Sequence, residues 1–280
     1  MIKFTRFEIE NLVQSDSGFG DLSTDLLSEH SQKTALLEIK TRSDICISSL
    51  DVIQEISKIY DLEFLSDFQN SQIATTGSVI AKIKGEFATL HAVYKVMQNL
   101  LEYSCGISTA SAKMSNLAKS INPKCEILVT RKSFPFAKKL CLKAAVEGGA
   151  KIHRLGVSDS VLFFENHLVA FKDKNKFLAK IPEFKAKFCE KKILAECDNI
   201  DFGKDLLKNK IDGIQCDKMQ ISEIADLVKF KNENFPNAIV LAAGGINLNN
   251  TKDYAATLCD GLVTSFVFKQ TADLGAKIIL

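Results

Sequence analysis

A carboxylate pair and a set of cations in the second half of the chain carry the chemistry this sequence could do. Glu196 lies at the end of the apolar run KILAEC and Asp217 at the end of DGIQCD. On neighbouring parallel strand ends two such carboxylates project together, and they hold hydrated Mg²⁺ or sugar hydroxyls better than zinc. General acid and base work on a glycosidic bond is the rival use, and an ion pair with Lys132 or Lys218 the purely structural one. In TRKSFP (130–135), Arg131 and Lys132 set a guanidinium that grips phosphate or carboxylate bidentately beside a mobile ammonium, with Pro135 stiffening the loop. A solvated basic loop is the alternative. GGAKIHRLG places His153 beside Arg154, where the neighbouring cation favours a neutral imidazole that orients a ligand; a core histidine is the competing reading. His167 in FENHL is a weaker candidate of the same kind.

LAAGGINLNN supplies the remaining part. A Gly244–Gly245 turn after a strand, leading into a helix start rich in asparagine (Asn247, Asn249, Asn250), exposes backbone N–H groups to a phosphate. Thr264 and Ser265, at the end of the next strand, offer hydroxyl donors. A site that is cationic on one side, carries a carboxylate pair and ends in a phosphate cradle suits a polyanionic sugar phosphate with Mg²⁺ and chemistry at the anomeric carbon. No GxGxxG or Walker sequence redirects it to a dinucleotide or a nucleoside triphosphate.

These residues need elements that bring them together. After residue 111, short apolar strands (EILVTR, KIHR, SVLFF, KILAEC, DGIQCD, AIVLAAGG, DGLVTSF) alternate with amphipathic stretches such as PFAKKLCLKAAVEGG and SEIADLVKFKNEN. That alternation predicts a parallel sheet covered on both sides. Late strands start at intervals of roughly 20 to 27 residues, which fits both a closed barrel and a doubly wound sheet. Reactive residues at nearly every strand end decide for the barrel, where those ends converge. The preceding sequence predicts helices around 5–14 and 50–60, strands in TALLEIKTR, ICISSL and GSVIAKIKG, and one long helix, or two end to end, from Phe87 to about Ile121. The expected division is an α/β sandwich domain over 1–110, with the C-terminal tail returning to it, and an α/β barrel over 111–280.

Composition narrows the partners. Lys plus Arg number 36 against 34 Asp plus Glu, too balanced for a nucleic-acid groove or a polybasic membrane surface, so any anion is held locally. The eight cysteines are scattered without a CxxC pair, which reads as reduced core thiols and not as a zinc knuckle or a disulfide framework. The first residues lack the apolar stretch of a signal peptide, and the expected address is the cytoplasm.

The ordered set GDLST (20–24), NLLEYSCGIST (99–109), TRKSFP, GGAKIHRLGVSDSVLFFENH (148–167), DGIQCDK and AAGGINLNN resembles the quinolinate phosphoribosyltransferase (nicotinate-nucleotide pyrophosphorylase, carboxylating) family over nearly the whole chain. The resemblance implies a type II phosphoribosyltransferase-like subunit. It also implies a homodimer in which the sandwich domain of one copy caps the barrel of the other, and Mg²⁺-dependent transfer of phosphoribose from phosphoribosyl pyrophosphate to a pyridine nitrogen. Carried over by position, Arg131, Lys132, His153 and Arg154 match the substrate-binding cations, Glu196 and Asp217 the carboxylates around ribose and metal, and Gly244 and Gly245 the phosphate loop.

The departures bear on the acceptor. Lys95 in YKVMQN stands where the family has an arginine, Phe164 in FFENH where it has a lysine, Ala243 where a serine precedes the glycines, and Ser265 where a glycine is usual. An ammonium is lost and a bidentate guanidinium is exchanged for Lys95, so the grip on a dicarboxylate is weaker. With HAVYKVMQNLLEY and LAAGGIN, these departures make the sequence similar to the ModD branch, pyrophosphorylase-like proteins associated with molybdate transport. Three functions follow as expectations. The first is a ModD-like phosphoribosyltransferase whose small anionic acceptor Lys95 and Phe164 leave open, with Glu196, Asp217 and Lys132 catalytic. The second is a nicotinate-nucleotide pyrophosphorylase of NAD synthesis, and the third a non-catalytic molybdate- or pterin-binding protein on the same scaffold.

Overall fold

The computed structural model describes residues 2–280. In chain order the elements are α1 (Arg6–Ser17), α2 (Leu22–Asp25), β1 (Thr34–Thr41), β2 (Ile45–Cys46), α3 (Leu50–Ile59), β3 (Glu63–Leu65), β4 (Ile73–Ala74), β5 (Val79–Glu86) and α4 (Phe87–Ile121). There follow β6 (Glu126–Val129), α5 (Lys138–Glu147), β7 (Lys151–Ile152), β8 (Val161–Phe163), α6 (Glu165–Leu168), α7 (Lys174–Lys187), β9 (Ile193–Cys197) and α8 (Ile200–Lys208). The chain ends with β10 (Gly213–Asp217), α9 (Ile221–Asn234), β11 (Ile239–Ala243), α10 (Thr251–Ala255), β12 (Gly261–Thr264) and β13 (Leu274–Ile279). No helix among the described residues is long and apolar enough to cross a membrane.

These elements form two compact units. The first takes residues up to Ala112, Phe134–Gly149 and Val267–Leu280; the second takes Lys113–Ser133 and Ala150–Phe266. The C-terminal strand joins the first unit, where the expected return of the tail puts it, but α5 joins it too, and there the division departs from a single cut near 110. Two interactions account for it. Lys143 of α5, 2% exposed, pairs with Asp51 at 2.8 Å and with Glu147 at 2.7 Å, and β13 pairs antiparallel with β1 from Leu36↔Ile279 to Thr41↔Leu274.

In the first unit, a four-stranded antiparallel sheet in the order β13-β1-β5-β3 buries Ala35, Leu37 and Ile39 of β1, the alternate residues of TALLEIKT. Helix α3 adds Leu50, Ile53 and Ile56, and α4 adds Leu90, Val93, Met97, Leu100 and Leu101 to the same core. Those five set the helical spacing in the sequence, and α4 is one continuous helix through Gly106. A Cβ at Gly106 would lie 2.3 Å from Thr271 Cα, so the glycine leaves room for the returning C-terminal segment. ICISSL gives only the two residues of β2, because Ser49 turns left-handed (φ 66°) and starts α3. In GDLST, Asp21 caps α2: its carboxylate accepts from the N–H groups of Ser23 and Thr24, both at 3.1 Å.

In the second unit, all seven predicted strands join one parallel sheet in the order β7-β6-β12-β11-β10-β9-β8. The sheet is curled. His153, just after β7, lies 2.9 Å from Gln215 of β10, although four strand spacings in a flat sheet would separate them by about 19 Å. The result is an α/β barrel open between its edge strands β7 and β8. Leu162, Leu194, Leu241, Ala243 and Val263 fill it, with Leu128, Phe164 and Ile239 packed against them. The outward residues Ile127, Ala195, Ile214, Ala242 and Leu262 are fully buried, as are Phe177, Ile181, Leu206 and Leu227 on α7, α8 and α9. Apolar strands covered on both faces are what parallel sheets require. All eight cysteines are free thiols and seven are buried; Cys189 is the exposed exception to the expected core role.

Candidate active site

The barrel gathers Arg131, Lys132, His153, Arg154, Glu196, Asp217, Gly244 and Gly245 at the C-terminal ends of β6, β7, β9, β10 and β11, where barrels of this type place their sites. Side-chain parity along each strand explains the convergence. Leu194 and Glu196 share one face of β9, and Gly213, Gln215 and Asp217 one face of β10. Gln215 is in register with Glu196, and Asp217 with Ala243. The lower positions pack the interior while the last ones reach its mouth.

The acidic half centres on Glu196. Burial and then the charge of Asp217 raise its pKa; Gln215, donating from Nε2 to Glu196 Oε1 at 2.6 Å, and the ammonium of Lys132 oppose them, and Glu165 adds further repulsion. Two carboxylates that repel each other at a cavity mouth favour a cation between them. Among the described residues no group of three His, Cys, Asp or Glu could hold a metal. A resident ion would therefore draw its other ligands from water and substrate, the habit of Mg²⁺ and not of zinc. A cleft of 290 Å³ opens here, lined by Glu165, Leu168, Phe171, Glu196, Phe202 and Asp217 among others.

The cationic half centres on Arg154. Its side chain is buried, Nη2 donates to Ser160 O at 2.8 Å and to Val157 O at 3.3 Å, and Nε has no hydrogen-bond partner. Burial and then the charge of Arg131 lower its pKa. A buried guanidinium facing a second cation, with one N–H unpartnered, is an anion site in waiting. Burial lowers the pKa of His153, its bond to Gln215 works the other way, and the charge of Arg154 adds a smaller lowering.

The Gly-Gly turn is built against Asp217 and Lys218. Gly244 has φ 91° and Gly245 φ 73°, and a Cβ on Gly244 would come within 2.8 Å of Lys218 N and 3.0 Å of Asp217 Oδ1. Only glycine fits. Asn250 takes the N-cap position of α10, as the predicted helix start requires, but the asparagine side chains bond within the turn. Asn247 Oδ1 accepts from Asn249 N at 2.9 Å, Asn250 Oδ1 accepts from Asn247 N at 2.8 Å, and both side-chain amides donate to Gly245 O. They brace the turn, and α10 beyond it has only five residues. Thr264, expected as a phosphate donor, is buried and donates to Ile246 O at 2.7 Å. It supports the loop because parity turns it away from the barrel mouth. Ser265, one residue on, is half-buried with the opposite parity.

Two other candidates have local partners. Lys95 is exposed on α4 in the first unit, where Nζ donates to Gln98 Oε1 at 3.0 Å. His167 Nδ1 accepts from Phe164 N at 3.0 Å and its ring stacks on Phe164 at 5.6 Å, a local brace for α6. Gln215 was not singled out in the sequence. Its signal was an amide inside the otherwise apolar strand GIQC.

The fold is the type II phosphoribosyltransferase architecture. The model of the quinolinate phosphoribosyl transferase C-terminal domain matches residues 107–276, and that of the N-terminal domain matches 21–105; the chain belongs to this family. Among curated relatives, a pyrophosphorylase ModD of Pasteurella multocida is 29% identical over 95% of this chain and 94% of its own length. A nicotinate-nucleotide pyrophosphorylase (carboxylating) of Methanocaldococcus jannaschii is 26% identical over 88% and 87%. Of solved structures, the nicotinate-nucleotide pyrophosphorylase from Ehrlichia chaffeensis superposes with TM-score 0.89 at 23% identity, covering 99% of this chain and 100% of that one. That from Francisella tularensis gives 0.87 at 20%, covering 97% and 94%. These structures support the fold.

Proposed function

We propose that the protein is a Mg²⁺-dependent phosphoribosyltransferase of the ModD-like branch, moving phosphoribose from phosphoribosyl pyrophosphate to a ring nitrogen of an acceptor other than quinolinate, with release of pyrophosphate. The observation that carries this reading is the joining of a repelling carboxylate pair, Glu196 with Asp217, to a glycine turn that only Gly244 permits. Glu196 and Asp217 orient the ribose hydroxyls and would hold Mg²⁺, which when bound supplies charge neutralisation for the departing pyrophosphate. Gly244 and Gly245 cradle a phosphate, with Ser265 beside them, and Lys132 balances the carboxylates. Arg131 and Arg154 take the acceptor's anionic group. Lys95, in the first unit, serves the barrel of a second copy in a homodimer, as the family resemblance implies.

Phe164 argues against quinolinate. It packs on the barrel core and stacks on His167, where a lysine would have presented an ammonium to a second carboxylate. The test is pyrophosphate release from phosphoribosyl pyrophosphate and Mg²⁺ over a panel of pyridine and pterin acceptors. No turnover with any acceptor, together with no calorimetric binding of phosphoribosyl pyrophosphate, rejects the proposal. The carboxylating relatives favour a second reading, nicotinate-nucleotide pyrophosphorylase. It requires nicotinate mononucleotide to form from quinolinate.

A further inference from the structure

A buried glutamine joins the two halves of the site. Gln215 sits in the middle of β10 and is 5% exposed. Both of its polar ends are used: Nε2 donates to Glu196 Oε1 at 2.6 Å, and Oε1 lies 2.9 Å from His153 Nε2. The direction of each bond follows. A carboxylate only accepts, so the amide N–H must face Glu196, which leaves the amide carbonyl oxygen for the imidazole. A carbonyl oxygen also only accepts, so His153 must carry its proton on Nε2. In the neutral ring the other nitrogen, Nδ1, is then a bare lone pair, and it meets no hydrogen-bond donor among the described residues.

We propose that Gln215 is a positioning residue that holds His153 as its Nε2–H tautomer, so that His153 offers a ligand only the lone pair of Nδ1, and that the acceptor substrate carries an N–H or O–H donor beside its anionic group. The first half stands on the hydrogen-bond geometry together with the burial that disfavours an imidazolium; the second rests on the phosphoribosyl-transfer reading. Pyridine dicarboxylates bring only lone pairs to this position and would set acceptor against acceptor. An amino- or hydroxy-substituted heteroaromatic acid would satisfy both His153 and Arg154.

Nitrogen-15 labelled full-length protein tests the first half, since the chain has four histidines and two-bond proton–nitrogen correlations separate the tautomers of each. His153 should show the neutral Nε2–H pattern. Gln215→Met, which keeps the volume and removes both polar ends, should abolish that single pattern while leaving the melting profile cooperative. An Nδ1–H tautomer or an imidazolium in the unsubstituted protein at neutral pH overturns the proposal, as does an unchanged pattern in Q215M. The second half is read by calorimetry with nicotinate and its amino-substituted derivatives. One added donor should tighten binding about tenfold, and Q215M should lose that advantage. Equal affinities, or binding of none of these probes, overturn the second half. Absent pyrophosphate release would reject the transferase reading and leave the tautomer result intact.

Discussion

Arg154→Met separates binding from folding at this site. In the free protein two terms oppose each other. The substitution removes the bonds from Nη2 to Ser160 O and Val157 O, and it also removes a buried cation with an unpartnered Nε facing Arg131. Each is worth about 1–3 kcal/mol, so the free variant should melt within a few degrees of the parent. Ligand-linked stability should behave otherwise. A polyanion at 100 times its Kd stabilises the native state by about 2.7 kcal/mol, which for a chain of this size is about 5–11 °C in Tm. Truncating a buried charged contact costs about 2–5 kcal/mol, and a hundredfold weakening brings the same ligand concentration down to one Kd. The shift then falls to about 1–2 °C. The assay is thermal denaturation with and without inorganic pyrophosphate and a pyridine carboxylate. A shift of equal size in R154M, or none in the parent with either anion, refutes the assignment of Arg154 to the anion site.

Three other outcomes follow from the geometry. Glu196→Gln should abolish turnover yet raise the melting temperature at neutral pH by less than about 1 kcal/mol equivalent once solvent screening is allowed for. Because the folded-state pKa of Glu196 lies above its ordinary 4.5, its carboxyl favours the fold only while protonated. The advantage of E196Q should therefore vanish below pH 4.5 and grow as pH rises through the raised value; parallel curves for the two proteins would contradict this. Phe164→Lys should strengthen calorimetric binding of quinolinate by about tenfold or more, on the worth of one partly buried charge-assisted bond, and unchanged affinity would remove Phe164 from the acceptor site. Lys143→Met leaves Asp51 and Glu147 without their buried cation, although Ser48 Oγ and Asn70 Nδ2 still donate to Glu147. The expected cost is about 3 kcal/mol, read from urea unfolding, and a loss under about 1 kcal/mol would show that the pair contributes little.

The sequence by itself determined the strands of the barrel, since seven apolar runs with reactive residues at their ends can be satisfied only by a covered parallel sheet, and it singled out Glu196, Asp217, Arg131, Arg154 and the Gly244 turn. Long α4 was legible for the same reason: Leu90, Val93, Met97, Leu100 and Leu101 repeat at helical spacing. Which side of a strand faces the site was not legible residue by residue. Thr264 and Ser265 look alike in the sequence, and strand parity alone commits the first hydroxyl to Ile246 and leaves the second near the barrel mouth. The asparagines after Gly245 read as a helix start, and Asn250 does take the N-cap position of α10, but that their side chains also lock the turn shows only in the folded chain. Nor does local pattern say with which unit α5 packs, because the partners of Lys143 include Asp51, far away in the chain. The tie between the two halves of the site is the clearest case. An amide in an apolar strand has no meaning until the sheet curls, and only that curvature brings His153 across four strand spacings to Gln215 and, through it, to Glu196.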